Sequence, residues 1–402
     1  MRNIKRRCPI LEAKDIVKRI YNALTPQSLI TLLCIGAFSP FIFSAIIDVL
    51  VAILILLKPQ YQRGLLNFRG AFILPIFCIY AFAVAFLNRN ILGLLIVPFF
   101  FAILVLYCFV RQNIKSETIE TCYTTVCFMV FPAFVWALVE ALTATEGKYV
   151  YRCSSYFANA NYFGALMAAV LIIAAHRVIS KKGRAPFYYV VGFVSLINIY
   201  LSGSLFAIIE VIVGVAVYLL LKKHYRLFCL MLILGSLAII LITGIPELLP
   251  RLSETGTTTS YRVRIWGVII KELGSNIWFG RGFMSYSIAQ SLYEGSYATV
   301  HGHNLVLDSL INFGIVGTLI VFMMVFVLIK TLITVYSLDK KSDIAAIAIS
   351  VAAAIAAHSF TDITFFWIQT GVFYVIVIGS IGAEERRLGI NKNPLIFGRY
   401  RI

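Results

Sequence analysis

The sequence predicts an all-α, polytopic membrane helix bundle of about twelve transmembrane helices, with one large extracytoplasmic loop containing short helices. Three observations predict it. Of 402 residues, 60% are hydrophobic and only 13% charged, too little polar side chain to cover the surface of a soluble enzyme. The apolar residues gather in runs that approach or exceed the roughly 17–20 residues needed to cross a bilayer. Of the 35 Lys and Arg, 27 sort to one face of the resulting topology and eight to the other, which is the positive-inside pattern. The formal net charge of +17 therefore reports membrane orientation and is not a footprint for nucleic acid.

The elements follow in order. Residues 1–26 are a basic cytoplasmic segment without an apolar core and small-residue cleavage site, so no removable signal peptide is expected. Within it, Ile10 to Leu24 carries apolar residues at helical spacing. That stretch reads either as a surface-lying amphipathic helix or as an unstructured basic tail. Residues 27–245 form the main bundle, with spans at 28–39, 41–57, 70–87, 92–110, 120–142, 162–179, 186–201, 204–221 and 227–245. Ser28 to Leu57 is either one helix kinked at Pro40 or two short ones. The charge sorting favours the break, because losing an early span would invert everything after it. Only Ser202-Gly203-Ser204 separates the seventh span from the eighth.

Residues 246–303 are more polar and, in this orientation, lie outside the cytoplasm. A connection this long is usually functional. An early part of it, Ser253 to Ser260, is a run expected to be flexible. Arg262, Trp266, Ile269, Ile270 and Leu273 then recur at helical spacing, predicting an amphipathic helix near the membrane surface that ends at Gly274. Residues 304–383 hold the C-terminal spans, at 304–329, 344–360 and 364–381, and 384–402 is a cytoplasmic tail. Of eight cysteines, only Cys153 falls in an outer loop, where it is expected to be exposed and alone, so no disulfide framework is predicted.

The chemistry is sought among the polar residues of the outer face. Arg152, Arg251, Arg262, Arg264 and Arg281 are many for a side that the positive-inside pattern depletes. A guanidinium suits a phosphate or diphosphate because its planar fork donates two parallel hydrogen bonds. The bland alternative is pairing with lipid headgroups. His301-Gly302-His303-Asn304 stands directly before the tenth span, and a histidine there is a candidate general base. No metal is expected, because the outer face shows no HExxH-like spacing and no carboxylate cluster. Asp48, Glu210 and Asp308 are intramembrane acids, hence functional candidates, although Asp48 and Glu210 equally suit pairing inside the bundle.

These residues resemble the O-antigen ligase/polymerase superfamily, integral membrane glycan ligases and polymerases that use polyprenyl-diphosphate-linked donors. The likeness is strongest from Arg262 to Gly317. It comprises Arg262-Val263-Arg264-Ile265-Trp266, Gly280-Arg281-Gly282, His303-Asn304-Leu305 and Gly314-Ile315-Val316-Gly317. A second similar stretch runs from Arg152 to Gly164 (RCSSYFANANYFG), and a weaker third is His358-Ser359-Phe360-Thr361-Asp362. One position departs: family members carry Ser-Arg or Thr-Arg, whose arginine is implied to hold the donor diphosphate, where this chain reads Ser204-Leu205. Either Arg264 or Arg281 takes over that role, or the donor differs.

The resemblance implies transfer of a glycan from a polyprenyl-diphosphate carrier to an acceptor hydroxyl outside the bacterial cytoplasmic (inner) membrane. It makes His303 the catalytic base, with Arg152, Arg262, Arg264 and Arg281 on the donor diphosphate and His301, Asn304, Asp308 and Asn161 in support. No cofactor is called for. The partners implied are the lipid-linked donor, a glycan or lipid acceptor, and the bilayer. Ligase and polymerase share these motifs and differ only in acceptor. Two other classes stay open: a transporter or flippase for a lipid-linked sugar, which the intramembrane acids would suit, and a non-catalytic scaffold.

Overall fold

The computed structural model describes residues 24–144, 152–245 and 255–390. Most of the Ile10–Leu24 stretch, Arg251, the start of the Ser253–Ser260 run and the end of the tail lie outside them. The described residues are helical and contain no strand. In chain order the helices are α1 Pro26–Ala37, α2 Phe41–Leu57, the single turn α3 Pro59–Gln62, α4 Ile73–Leu87, α5 Ile91–Asn113, α6 Ser116–Thr143, α7 Ala160–Ile179 and α8 Ala185–Ser202. They continue with α9 Leu205–Leu221, α10 Tyr225–Gly244, α11 Thr255–Asn276, α12 Ser285–Ala289, α13 Leu305–Leu338, α14 Asp343–His358, α15 Ile368–Gly379 and α16 Ile381–Arg387. Five of these (α5, α6, α7, α8 and α13) are long and apolar enough to cross a membrane, and several shorter apolar helices pack among them. Large apolar side chains such as Ile79, Leu87 and Leu142 are at least 70% exposed on the outside of the bundle. A water-facing surface would not tolerate that display, whereas lipid favours it.

The Pro40 break is real. α1 and α2 are two short antiparallel helices, α1 opened by a Thr25–Ser28 capping box with Pro26 in its first turn. The basic segments expected inside do gather at one end. Lys182 and Lys222 reach Asp343 at 3.2 and 2.6 Å, and Lys182 also reaches Glu120 at 3.2 Å. Arg111 and Glu385 form a buried pair at 2.8 Å that docks α16 beneath α5. The opposite end carries the connections following α4, α6, α8, α11 and α14.

Three expectations are corrected. Cys153 is buried, not exposed, with its thiol directed at the Ala137 carbonyl. The run expected to be flexible is already helical from Thr255, and α11 continues to Asn276 rather than stopping at Gly274. Its apolar face packs on protein: Ile265, Val268 and Ile269 are buried with Tyr286, Ala289 and Ile311. Once that contact anchors the helix, each further turn toward the N-terminus adds hydrogen bonds at low cost, which outweighs the weak helix preference of threonine.

The glycine motifs explain themselves as packing. α13 is interrupted at Gly314, where φ is 62° and ψ −168°, a conformation open essentially to glycine alone. A Cβ there would stand 2.4 Å from the Trp278 backbone, and one on Gly280 would stand 2.5 Å from Asn312. The released amide groups pair with the segment after α11: Gly282 N–H donates to the Asn312 carbonyl at 2.6 Å and Ile315 N–H to Ile277 at 2.8 Å. Gly280 and Gly314 are thus two sides of one close backbone contact, while Gly282 packs against Ala85 and Gly317 against Tyr80.

A cationic cavity at one end of the bundle

A cavity of about 880 Å³ opens at the end away from the basic segments, between the start of α7, the α8–α9 turn, α11, and the loops before α13 and after α14. Its polar wall includes Arg152, Asn161, Arg262, His301, His303 and His358.

The Arg152–Gly164 stretch builds one side. Asn159 caps α7 by accepting the Asn161 N–H at 2.7 Å, which aims the Asn161 side chain outward from the first turn. The Asn161 amide then bridges two groups. Its oxygen accepts from Arg152 Nη2, and its nitrogen donates to Asp362 Oδ2 at 2.7 Å. Arg152 Nε also donates to the Ser202 carbonyl at 3.0 Å, laying the arginine across the tight turn. That turn needs Gly203, whose φ of 57° is left-handed and whose missing Cβ leaves room for Arg152.

The His301–Asn304 loop is pinned from several directions. Trp266 Nε1 donates to the Gly302 carbonyl at 3.1 Å, which accounts for the tryptophan in the α11 motif. Asp308 Oδ1 accepts the Gly302 N–H at 2.6 Å, and its other oxygen accepts from Asn312 at 2.8 Å. Asp308 thus braces the loop from behind and does not line the cavity. Asn304 caps α13 through the Val306 and Leu307 amides, both at 3.0 Å, and donates to the Phe360 carbonyl at 2.9 Å. His303 itself sits at φ 48°, an unusual place for a side chain with a Cβ, held there by its surroundings.

This arrangement brings His301 and His303 against Asp362, a residue the sequence motif contained but the sequence reading gave no role. His303 Nδ1 lies 3.4 Å and His301 Nε2 3.7 Å from Asp362 Oδ1. Burial pushes the His301 imidazole down to about 4; Asp362 opposes this and His303 adds to it. Neutral His301 can accept the His303 N–H on Nδ1, at 3.3 Å. Burial alone would raise the Asp362 pKa, but the neighbouring His303, His301 and His358 imidazoles hold it well below the usual carboxylate range. Asp362 is therefore an anion standing against His303 Nδ1, while His303 Nε2 lies near Thr299 Oγ1 at 3.3 Å on the cavity side. The ligand atoms of His301, His303 and Asp362 also lie close enough together to hold a metal ion. The expectation of no metal rested on the lack of ligand spacing in the outer loop. It did not foresee a carboxylate arriving from the far end of α14.

The expected arginines divide. Arg152 and Arg262 face the cavity, Arg262 with its guanidinium 5.2 Å from the Phe206 ring. Arg264, two positions on, is exposed and lies off the cavity wall. Arg281 is turned to Glu272 at 2.6 Å and Ser275 at 3.2 Å, away from the cavity. Of the intramembrane acids, Glu210 is paired inside the bundle with His358 and Tyr374, while Asp48 is buried on α2.

Fold and site together define a helical integral membrane protein with a polar, cation-rich pocket at one end of its bundle. Residues 190–322 match the family model described as O-antigen ligase. The match supports the O-antigen ligase superfamily, and it spans α8 through the first part of α13, including Arg262, Trp266, His303 and both glycine motifs. Arg152, Asn161 and Asp362 lie outside the matched stretch. No curated protein matches the chain.

Proposed function

We propose that this protein is a membrane glycosyltransferase of O-antigen ligase type. It moves a glycan from a polyprenyl-diphosphate carrier to an acceptor hydroxyl on the extracytoplasmic face of the bacterial cytoplasmic membrane, in cell-surface polysaccharide biosynthesis. The observation that carries the reading is His303, standing against Asp362, on the wall of a cavity that also presents Arg152 and Arg262. In this reading residues 246–303 are the catalytic loop, 27–245 and 304–383 the bundle that holds the lipid, and 1–26 and 384–402 cytoplasmic segments.

The chemistry follows from the roles. The acceptor oxygen attacks the anomeric carbon while His303 Nε2 takes its proton. The bond from that carbon to the diphosphate oxygen breaks, and the diphosphate leaves with the electron pair. Arg152 and Arg262 meet the charge that grows on it. The diphosphate is already a good leaving group, so no step calls for a metal, and a single displacement inverts the anomeric centre. The apolar helices beside the cavity keep the polyprenyl tail in the bilayer while the head reaches the polar wall.

The test is reconstitution in liposomes with a labelled lipid-linked glycan and candidate acceptors. The expected result is a new covalent product, abolished by His303→Ala with the protein still folded in the membrane. Translocation of the lipid without a new bond would instead make the protein a transporter, and full transfer by the variant would remove His303 from its role.

A further inference from the structure

We propose that His358 binds the donor, giving a cationic contact to its diphosphate at the part of the cavity wall where Leu205 offers none. The inference rests on the glycan-transfer reading above and deepens it.

His358 ends α14, is 1% exposed, and lines the cavity together with Leu205 and Phe206. Its Nδ1 lies 2.8 Å from Glu210 Oε2, and the other Glu210 oxygen accepts from the Tyr374 hydroxyl at 3.0 Å. An ionised carboxylate only accepts, so His358 Nδ1 carries a hydrogen and Nε2 is the ring nitrogen left for a ligand. Glu210 is completely buried, and a carboxylate in that position needs a matching positive charge. In the proposed role His358 is that matching charge: Nδ1 is held by Glu210, and Nε2 is the ring nitrogen turned to the ligand in the cavity it lines. The other groups facing His358 are Tyr374, Asp362, whose carboxylate feels the His358 charge, and Arg262 across the Phe206 ring. Asp362 is already engaged by Asn161, the Ile363 amide and the two loop histidines.

Phe206 links the wall: its ring lies 6.1 Å from His358 and 5.2 Å from the Arg262 guanidinium. Arg152 closes the same wall from the α8–α9 turn. Three cationic donors thus converge on one face of the cavity, a fit for the several acceptor oxygens of a diphosphate. The competing explanation is that Glu210 and His358 merely clip α9 to α14.

Binding of polyprenyl diphosphate, the carrier without its glycan, to the full-length protein in nanodiscs separates the two, alongside steady-state transfer. His358→Asn is expected to weaken carrier binding by at least about tenfold and to raise the donor KM by a similar factor with little change in kcat. Adding Leu205→Arg to that variant should restore binding to within about threefold, because a fork placed on the same wall replaces the lost donor. Should His358→Asn fail to fold, Glu210→Gln serves: it keeps the hydrogen-bonding shape, removes the counter-charge, and should also weaken carrier binding. Wild-type affinity in a folded His358→Asn or Glu210→Gln protein overturns the proposal. So does a loss confined to kcat, or one that Leu205→Arg does not repair. If the unmodified protein binds no polyprenyl diphosphate, the glycan-transfer reading itself fails, which the other outcomes leave standing.

Discussion

His303 Nδ1 faces Asp362 Oδ1 at 3.4 Å, so the imidazole of the loop before α13 stands against a carboxylate from the loop after α14. Asp362→Asn keeps the size of the side chain but removes the charge and turns an acceptor into a potential donor. The imidazole then loses the anion that its Nδ1 faces, which would favour the hydrogen on that nitrogen. General-base catalysis is typically worth about 10²–10⁴-fold, and kcat should fall by at least about 10²-fold while donor KM changes little. Steady-state transfer with labelled donor measures both. A kcat within a few-fold of wild type would end the case for Asp362 as the positioning residue.

Arg262 and Arg264 offer a sharper comparison, since the resemblance implies the same role for both. Two positions along a helix is about 200° of rotation, so both cannot face one cavity. Arg262 lines the wall, and Arg264 is exposed away from it. Arg262→Ala should reduce kcat/KM by about 10²-fold, in the range seen for removing one stabilising donor. Arg264→Ala should cost a few-fold at most. The ratio of the two kcat/KM values checks this, and equal losses would contradict the geometry.

These comparisons show what a sequence carries and what it cannot. The apolar runs, the Pro40 break and the sorting of basic residues are local signals, and the helices follow them closely. His303 and Arg152 were legible because they sit in compact motifs beside span ends. Asp362 was not, because nothing local ties a carboxylate after α14 to a histidine before α13; only the folded bundle does. Arg281 misled for a similar reason, since its partner Glu272 lies on a helix whose packing sets which way it points. The glycine pairs were visible as patterns, but their meaning was hidden until the break at Gly314 met the backbone of Trp278.

That contact gives a stability prediction. Gly314→Ala forces a Cβ into a backbone conformation that costs about 1–3 kcal/mol, and into contact with the Trp278 backbone 2.4 Å away. The melting temperature in detergent should drop by several degrees, or the fold be lost. Gly256→Ala is the matched control: nothing lies within 4 Å of its Cβ position, and the helix it starts should be unaffected or slightly firmer. Equal melting of the two variants would mean that the kink in α13 is not under the constraint described.

The pH dependence of stability follows from His301. Burial lowers its folded-state pKa to about 4, against about 6.5 for an unfolded histidine. Between those values the unfolded chain binds a proton that the folded protein refuses, so the stabilisation is complete above about pH 6.5 and is lost progressively as pH falls toward 4. Asp362 moves in its own window. Its folded pKa is depressed, so its contribution persists above about pH 3.9 and is lost only below. Melting temperature in detergent should therefore decline as pH falls from about 6.5 toward 4, and His301→Gln, which has no titration in that range, should flatten the decline. An unchanged slope in His301→Gln would show that another group carries the acid sensitivity. A flattened one would mean that neutral His301 keeps the loop under His303 in place.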